Sequence, residues 1–340
     1  MSEYHCYYLE TCIVFRIDTI TPCCPGENWE GGAFKTPLIP FEGGDFPIKE
    51  FLNMKEKTKN EIKSGTSECF KCPHLTKTDF KKSKYLFNTV VITNFGECNA
   101  HCSYCSIINP KNLKYYKNKY QIYNTIKYIL DNKLLDPEGI IEWGGGEPTI
   151  YKEFDDILNL LREREIKTMV NSNCIKFSDT LFNAINLNNA TMQLSLDSGD
   201  KVTYINMKIL DKFDDIIVNL KKYSLHHPEN ITLKYIINDK NNEKQSIINF
   251  LTLTKNLKIT KVNLSPEGSE AFLNKISNKT FKGINIFLDE AYKKNINVNI
   301  FYSLFGKNYT RRIIKENLLL NFKKIINKLK NRFLNPNHHM

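Results

Sequence analysis

"FNTVVITNFGECNAHCSYC", residues 87–105, runs from a β-branched stretch directly into a loop that carries three cysteines. Cys98, Cys102 and Cys105 are separated by three and then two residues. A disulfide needs only two partners, so three thiols on one short loop point to metal ligation. Three protein ligands leave one coordination position open, as catalytic rather than structural metal sites do. Iron in an Fe–S cluster and zinc both take thiolates, and the spacing alone leaves both in play.

Strand-like and helix-like segments alternate outward from this loop. "YQIYNTIKYILDN" (120–132) has helical periodicity and "GIIEW" (139–143) reads as the next strand. Helices are expected at 154–164, 179–187, 213–223 and 243–256, with strands at 166–172, 190–196, 231–237 and 259–265. The pattern predicts an α/β fold with a parallel sheet, a full or partial (β/α)6 TIM-like barrel. In such barrels the loops after the strands carry the site, which is where the unusual residue clusters fall.

Placed immediately after a first strand, "CNAHCSYC" (98–105) resembles the CxxxCxxC loop of the radical S-adenosylmethionine (radical SAM) enzymes, aromatic Tyr104 included. "EWGGGEPT" (142–149) resembles the GGEP motif of the same family, and no Gly-Lys-Ser/Thr follows that would make it a phosphate loop. The resemblance implies that Cys98, Cys102 and Cys105 ligate a [4Fe-4S] cluster whose open iron binds S-adenosylmethionine. It assigns Gly145, Gly146 and Glu147 to the amino group of that cofactor, glycine allowing a ligand close to the backbone. "NSN" (171–173), "SLDSG" (195–199) and "LKYIINDKNNE" (233–243) match more loosely. By resemblance Ser195 and Lys234 meet the methionyl carboxylate, with Asn173 and Asp197 nearby, although Asn, Ser and Asp also favour turns and caps. The implied chemistry is one-electron cleavage of S-adenosylmethionine to a 5′-deoxyadenosyl radical that abstracts hydrogen from a substrate. A flavodoxin- or ferredoxin-like reductant would supply the electron.

The first 83 residues have a different texture, rich in Gly and Pro, with further cysteines and no long periodic segment. Cys6 and Cys23, followed by the C-x-x-C pair Cys69 and Cys72, resemble the SPASM or twitch modules that hold a second Fe–S cluster in many radical SAM enzymes. Cys12 and Cys24 are the alternates, and a structural zinc is the competing reading. Such a segment is too poor in core to fold without a staple. The expected organisation is therefore a cysteine-rich module (1–83), the barrel (84–305) and a basic amphipathic C-terminal helix (306–340). On that helix Ile325, Ile326, Leu329 and Phe333 form one apolar stripe.

Composition sets the outer limits. At 340 residues with 41% hydrophobic and 25% charged, the chain can bury a large core. No apolar run approaches the roughly 20 residues of a spanning helix, and the N-terminus lacks a signal-peptide layout, so a cytoplasmic protein is expected. Ten cysteines without a secretory signal favour metal or redox chemistry over disulfides. The net charge of +11 comes mostly from Lys scattered among Asn and Ile rather than from a stripe that would fit nucleic acid. The substrate expected for a radical SAM enzyme with such a module is a peptide or a carbohydrate or nucleotide-sugar intermediate. The alternatives are an RNA-modifying member of the family and, from a different class, a zinc-dependent nucleic-acid-binding protein.

Overall fold

The computed structural model describes residues 4–22, 38–72, 74–77, 83–105, 120–267, 276–300, 311–313 and 315. Its centre is a ten-stranded sheet. The strands foreseen as a barrel are β6 (Phe87–Ile92), β7 (Leu135–Trp143), β8 (Lys167–Ser172), β9 (Ala190–Ser195), β10 (Ile231–Ile237) and β11 (Lys261–Pro266). They lie side by side in chain order and run parallel. A seventh parallel strand, β12 (Asn297–Ile300), extends the series and leaves an open, partial barrel among the described residues.

Crossovers between the strands are helical: α3 (Tyr123–Asp131), α4 (Phe154–Glu163), α5 (Asp179–Asn186), α6 (Lys201–Lys208), α7 (Phe213–Tyr223), α8 (Lys244–Asn256) and α9 (Asn278–Lys293). Alternation explains why the strands bury one face. Val170, Met192, Leu194, Leu233, Tyr235, Val262 and Leu264 go into the core, while the intervening Asn171, Gln193, Lys234 and Asn263 take the other face. In a closed barrel that inner face is packed with branched apolar side chains. Here it is polar.

The N-terminal segment departs from expectation. Strand β2 (Cys12–Phe15) pairs in parallel with β6, from Cys12 opposite Thr89 to Phe15 opposite Ile92. Strands β3 (Thr19–Thr21) and β4 (Ile39–Pro40) then extend the sheet antiparallel. Ile13, Phe15 and Ile20 join the main core, so the packing does not divide at residue 83. The loop-rich reading also needs correction, because α2 (Ile48–Lys63) is a sixteen-residue helix. Its buried face is Phe51, Lys55, Thr58 and Ile62, and the two polar members mask the helical period. Lys55 Nζ donates to the Glu10 carbonyl (2.7 Å), and Lys59 pairs with Glu10 (2.7 Å).

A smaller cluster of Cys6, Leu9 and Ile62, with Tyr8, Cys69 and Leu75 against it, packs separately from the main core. It forms where β1 (His5–Cys6) pairs with β5 (Leu75–Thr76). Of the C-terminal helix only residues 311–313 and 315 are described, and the stripe at 325–333 lies outside them. Ile313 is buried and the Arg312 guanidinium stacks on Phe281 of α9. Among the described residues no helix is long and apolar enough to cross a membrane.

Candidate functional site

Residues 93–105 leave the end of β6 and lie across the end of β7. Thr93 donates through both its N–H and its hydroxyl to the Phe15 carbonyl, each at 2.8 Å. Further along, Gly146 N–H donates to Phe95 O (3.0 Å) and Glu147 N–H to Glu97 O (2.8 Å). The two glycines make this contact possible. A Cβ on Gly146 would sit 2.1 Å from Glu97 O, and one on Gly145, at φ +81°, 2.6 Å from Phe95 O. Their small size thus admits the cysteine loop, where the sequence suggested an approaching ligand.

Glu147 was expected at the cofactor amino group, and the structure gives its carboxylate other partners. It is 1% exposed, and Oε1 accepts from Thr149 N (3.1 Å), Thr149 Oγ1 (2.7 Å) and Ser172 Oγ (2.8 Å). Oε2 accepts from Asn173 N at 2.6 Å. Burial pushes its pKa up while these donors pull the other way. The clamp ties the end of β7 to that of β8 and orients Asn173, whose Nδ2 donates to Asn99 Oδ1 (2.7 Å) and reaches Cys98 Sγ at 3.6 Å. Ala100 N–H also points at Cys98 Sγ, at 3.4 Å.

Burial raises the Cys98 thiol to about 11 and raises Cys102 as well. As thiols, no three His, Cys, Asp or Glu among the described residues converge closely enough to hold one metal ion. The donors at Cys98 nevertheless suit a thiolate: two N–H groups, from Ala100 and Asn173, point at its sulfur. Thiolates so solvated are the ligands an iron–sulfur cluster requires, and ligation displaces their protons.

Tyr104 and Asp197 also meet, in an arrangement the sequence did not foretell. The Tyr104 hydroxyl donates to Asp197 Oδ2, and Lys208 Nζ donates both to that hydroxyl and, at 2.5 Å, to Asp197 Oδ2. Asp197 is fully buried with φ +61°, and its Oδ1 accepts from Ile236 N at 2.7 Å. Lys208 lies at the end of α6, a helix hidden in the sequence because the preceding "SLDSG" read as a ligand loop. The available signal was Asp200, which caps α6 by accepting from Thr203 N (2.9 Å) ahead of buried Tyr204 and Met207.

Ser195 and Lys234 stand opposite each other on β9 and β10. Burial lowers the Lys234 pKa, and its ammonium has no hydrogen-bond partner among the described residues. Beside them a row of amides crosses the inner face. Asn171 Nδ2 donates to Trp143 O (2.7 Å), Gln193 Nε2 to Asn171 Oδ1 (2.5 Å), Asn263 to Gln193, and Asn299 Nδ2 to Asn263 Oδ1 (3.1 Å). None of these amides was assigned a role from sequence; Asn171 fell only within the quoted "NSN" segment.

At the N-terminal end the structure brings Cys6, Cys69 and Cys72 into one neighbourhood: burial raises the Cys6 and Cys72 thiols, and Cys69 adds to the rise at both. Backbone N–H groups of Tyr8 and Leu9 serve Cys6, and those of His74 and Leu75 serve Cys72. Cys12 packs in a different cluster, fully buried with Val14 and Val91. Cys23 and Cys24 lie outside the described residues. Cys174, after "NSN", is a buried core thiol.

Residues 95–251 match the family model of the radical SAM superfamily. A 7,8-dihydro-6-hydroxymethylpterin dimethyltransferase from Methanocaldococcus jannaschii is 28% identical over 121 residues, 35% of this chain and 22% of that protein. The fold is similar to that of Streptococcus suis SuiB bound to its precursor peptide SuiA (TM-score 0.51, 17% identity, 74% of this chain, 62% of that one). SuiB bound to S-adenosylmethionine gives a TM-score of 0.51 at 16% identity, over 74% of this chain and 58% of that one. The chain thus spans less than two thirds of each of these relatives. With the family model matched from ahead of the cysteine loop into α8, residues 95–251 carry a radical SAM domain, of a superfamily that binds a [4Fe-4S] cluster and S-adenosylmethionine.

Proposed function

We propose that Cys98, Cys102 and Cys105 are the three protein ligands of the [4Fe-4S] cluster and that the ends of β7 to β10 receive S-adenosylmethionine. The observation that carries this reading is the pair of hydrogen-bond donors already aimed at a sulfur of the loop, Ala100 N–H and Asn173 Nδ2 on Cys98. With the Glu147 carboxylate occupied, the cofactor amino group is left to backbone carbonyls of the 144–146 strand end. Ser195 and Lys234, side by side and the latter without a hydrogen-bond partner among the described residues, suit its carboxylate. When bound, the cluster and cofactor supply a carbon radical that abstracts hydrogen. The residues of this chain hold the two groups together and exclude water from them.

The substrate we infer is polar and rich in hydrogen-bonding groups, because the inner face presents amides instead of a packed apolar core. A groove of about 580 Å³, lined by Ile205, Asn206, Ile209, Leu210, Asp211 and Lys240, flanks Met207, whose carbonyl accepts from Ser103 of the cysteine loop. Such an open groove suits an extended chain, and the fold relative SuiB was solved with a peptide. A peptide is therefore the substrate class proposed here. Cys6, Cys69 and Cys72 are proposed to ligate a second Fe–S cluster, with Cys23 as the fourth ligand. The electron would come from a flavodoxin- or ferredoxin-like protein.

The test is reductive cleavage of S-adenosylmethionine by anaerobically reconstituted protein. Wild type should release 5′-deoxyadenosine and methionine under a low-potential reductant. The Cys98→Ala/Cys102→Ala/Cys105→Ala variant should retain the N-terminal centre's absorbance and release none. Cleavage persisting in that variant would remove the ligand assignment.

A further inference from the structure

Glu142 takes the inner face of the sheet, because Ile141 and Trp143, on either side of it in β7, are both fully buried in the core. Strand pairing sets it opposite Val91 of β6 and Met169 of β8. The two sides differ. Val91 is 6% exposed, packed with Cys12 and Val14 under Tyr8, so the β6 side is closed. Met169 is only half-buried, and Asn171 of the amide row stands two residues further along its strand. Glu142 itself is half-buried and makes no hydrogen bond or ion pair among the described residues. Burial pushes its pKa up, and no neighbouring charge opposes the rise.

Carboxylates withdrawn from water are normally paired. Elsewhere in this chain they are: Glu147, Glu153 and Asp197 are each held by several donors. Lys234 is no partner for Glu142. It lies on the same face three strands along, roughly 14 Å away at about 4.8 Å per strand, and neither charge acts on the other. The face therefore offers two separate contacts of opposite sign. Ser195 and Lys234 suit the cofactor carboxylate, which leaves Glu142 to the substrate.

We infer that Glu142 is a specificity-determining residue that binds a cationic group of the substrate, an ammonium or guanidinium whose alkyl stem lies over Met169. This rests on the reading of the inner face as the substrate side. For a peptide it means a lysine or arginine side chain directed into the open barrel. A carboxylate takes such groups in charge-assisted hydrogen bonds, and an apolar neighbour covers the methylenes that carry them. A neutral group would leave the carboxylate uncompensated, and an anionic one would be repelled.

A carboxylate that is merely hydrated at the barrel mouth would show no such preference. The two cases separate in ligand-observed NMR titrations of the full reconstituted chain with S-adenosylmethionine bound. One probe pair is n-butylguanidinium against its neutral near-isostere n-butylurea. The others are capped pentapeptides of four glycines around a central arginine or lysine, each against the citrulline peptide. The cationic member should bind wild type at least about tenfold more tightly. Glu142→Gln, which keeps the size and loses the charge, should bring the ratios to about one while affinity for S-adenosylmethionine holds. Ratios near one for every pair in wild type, including no detectable binding of any cation, overturn the inference, as do ratios retained in Glu142→Gln. Affinity for S-adenosylmethionine falling in that variant as far as affinity for the cations would assign the carboxylate to the cofactor's ammonium and overturn it too. If Glu142→Gln loses its cluster, protection decides: n-butylguanidinium should slow carbodiimide labelling of Glu142 in wild type, and unchanged labelling overturns the inference. Preference for n-butylguanidinium without any preference among the peptides would uphold the inference and remove the peptide reading.

Discussion

Glu147 Oε2 accepts the Asn173 backbone N–H at 2.6 Å, and the side chain of Asn173 then reaches Cys98 Sγ. A carboxylate on the neighbouring strand end thus places a donor at a proposed cluster ligand through the end of β8. Removing it in Glu147→Ala leaves buried donors on Thr149, Ser172 and Asn173 unpaired, at roughly 1–3 kcal/mol for each that finds no water. We expect a urea midpoint well below wild type and weakened iron retention on desalting. Glu147→Gln, which keeps two acceptor lone pairs, should fall between the two.

Gly146 and Gly144 offer a sharper contrast at the same turn. A Cβ at Gly146 meets Glu97 O at 2.1 Å, backbone that cannot move without lifting the cysteine loop, whereas one at Gly144 meets only the Thr93 methyl at 3.3 Å. Gly146→Ala should lose about 2–4 kcal/mol of stability and most of its iron, while Gly144→Ala should stay within about 1 kcal/mol. Chemical denaturation and iron analysis read both.

Lys234 presents a buried ammonium with no hydrogen-bond partner among the described residues, opposite Ser195. If it meets the cofactor carboxylate, a charge-assisted hydrogen bond of about 1.5–3 kcal/mol is lost in Lys234→Met. Equilibrium binding of S-adenosylmethionine to the reconstituted protein should then weaken by about 10- to 100-fold with the cluster intact. Affinity equal to wild type would take Lys234 out of the cofactor site.

Much of the barrel was legible because its signal is local: a β-branched run, a turn, then an amphipathic helix, repeated. The cysteine loop was legible because three thiols at fixed spacing have few structural uses. What escaped reading depends on neighbours far along the chain. Helix α2 was hidden because its buried stripe includes Lys55 and Thr58. Lys208 drew no notice because the group it completes is assembled from three separate segments. The glycines of "GGGEPT" drew attention as a place where a ligand approaches, and that the cysteine loop itself crosses them is visible only in the fold. The amides of the inner face look, in sequence, like those of any solvated strand.

Lys55 gives a pH test. Burial lowers its pKa from 10.5 to about 8, so between those values the unfolded chain binds a proton that the folded chain has released. Stability contributed at this site therefore rises as pH increases from about 8 to 10.5, by up to about 3 kcal/mol. The difference in unfolding free energy between wild type and Lys55→Met should shift in favour of wild type over that window. A pH-independent difference would mean that Lys55 is well solvated.

The N-terminal thiols should behave as a unit. Two [4Fe-4S] clusters predict about eight irons per chain, falling to about four in Cys69→Ala or Cys72→Ala. Residues 1–80 should also be cut faster by protease, since metal binding there is folding free energy. Cys12→Ala, a change in a packed apolar thiol, should leave the metal content unchanged. Zinc in place of iron in the wild-type site would identify a structural metal instead, and identical proteolysis and metal content in all variants would reduce these cysteines to packing.

The most direct measurement is the EPR spectrum of the reduced, reconstituted protein with and without S-adenosylmethionine, recorded alongside the Cys98→Ala/Cys102→Ala/Cys105→Ala variant. A cluster with three protein ligands has an iron free to take the cofactor, so the wild-type signal should change shape on addition, and the triple variant should show no responsive signal. A wild-type cluster signal indifferent to S-adenosylmethionine, or a response retained in the triple variant, would contradict the assignment of the open site to this loop.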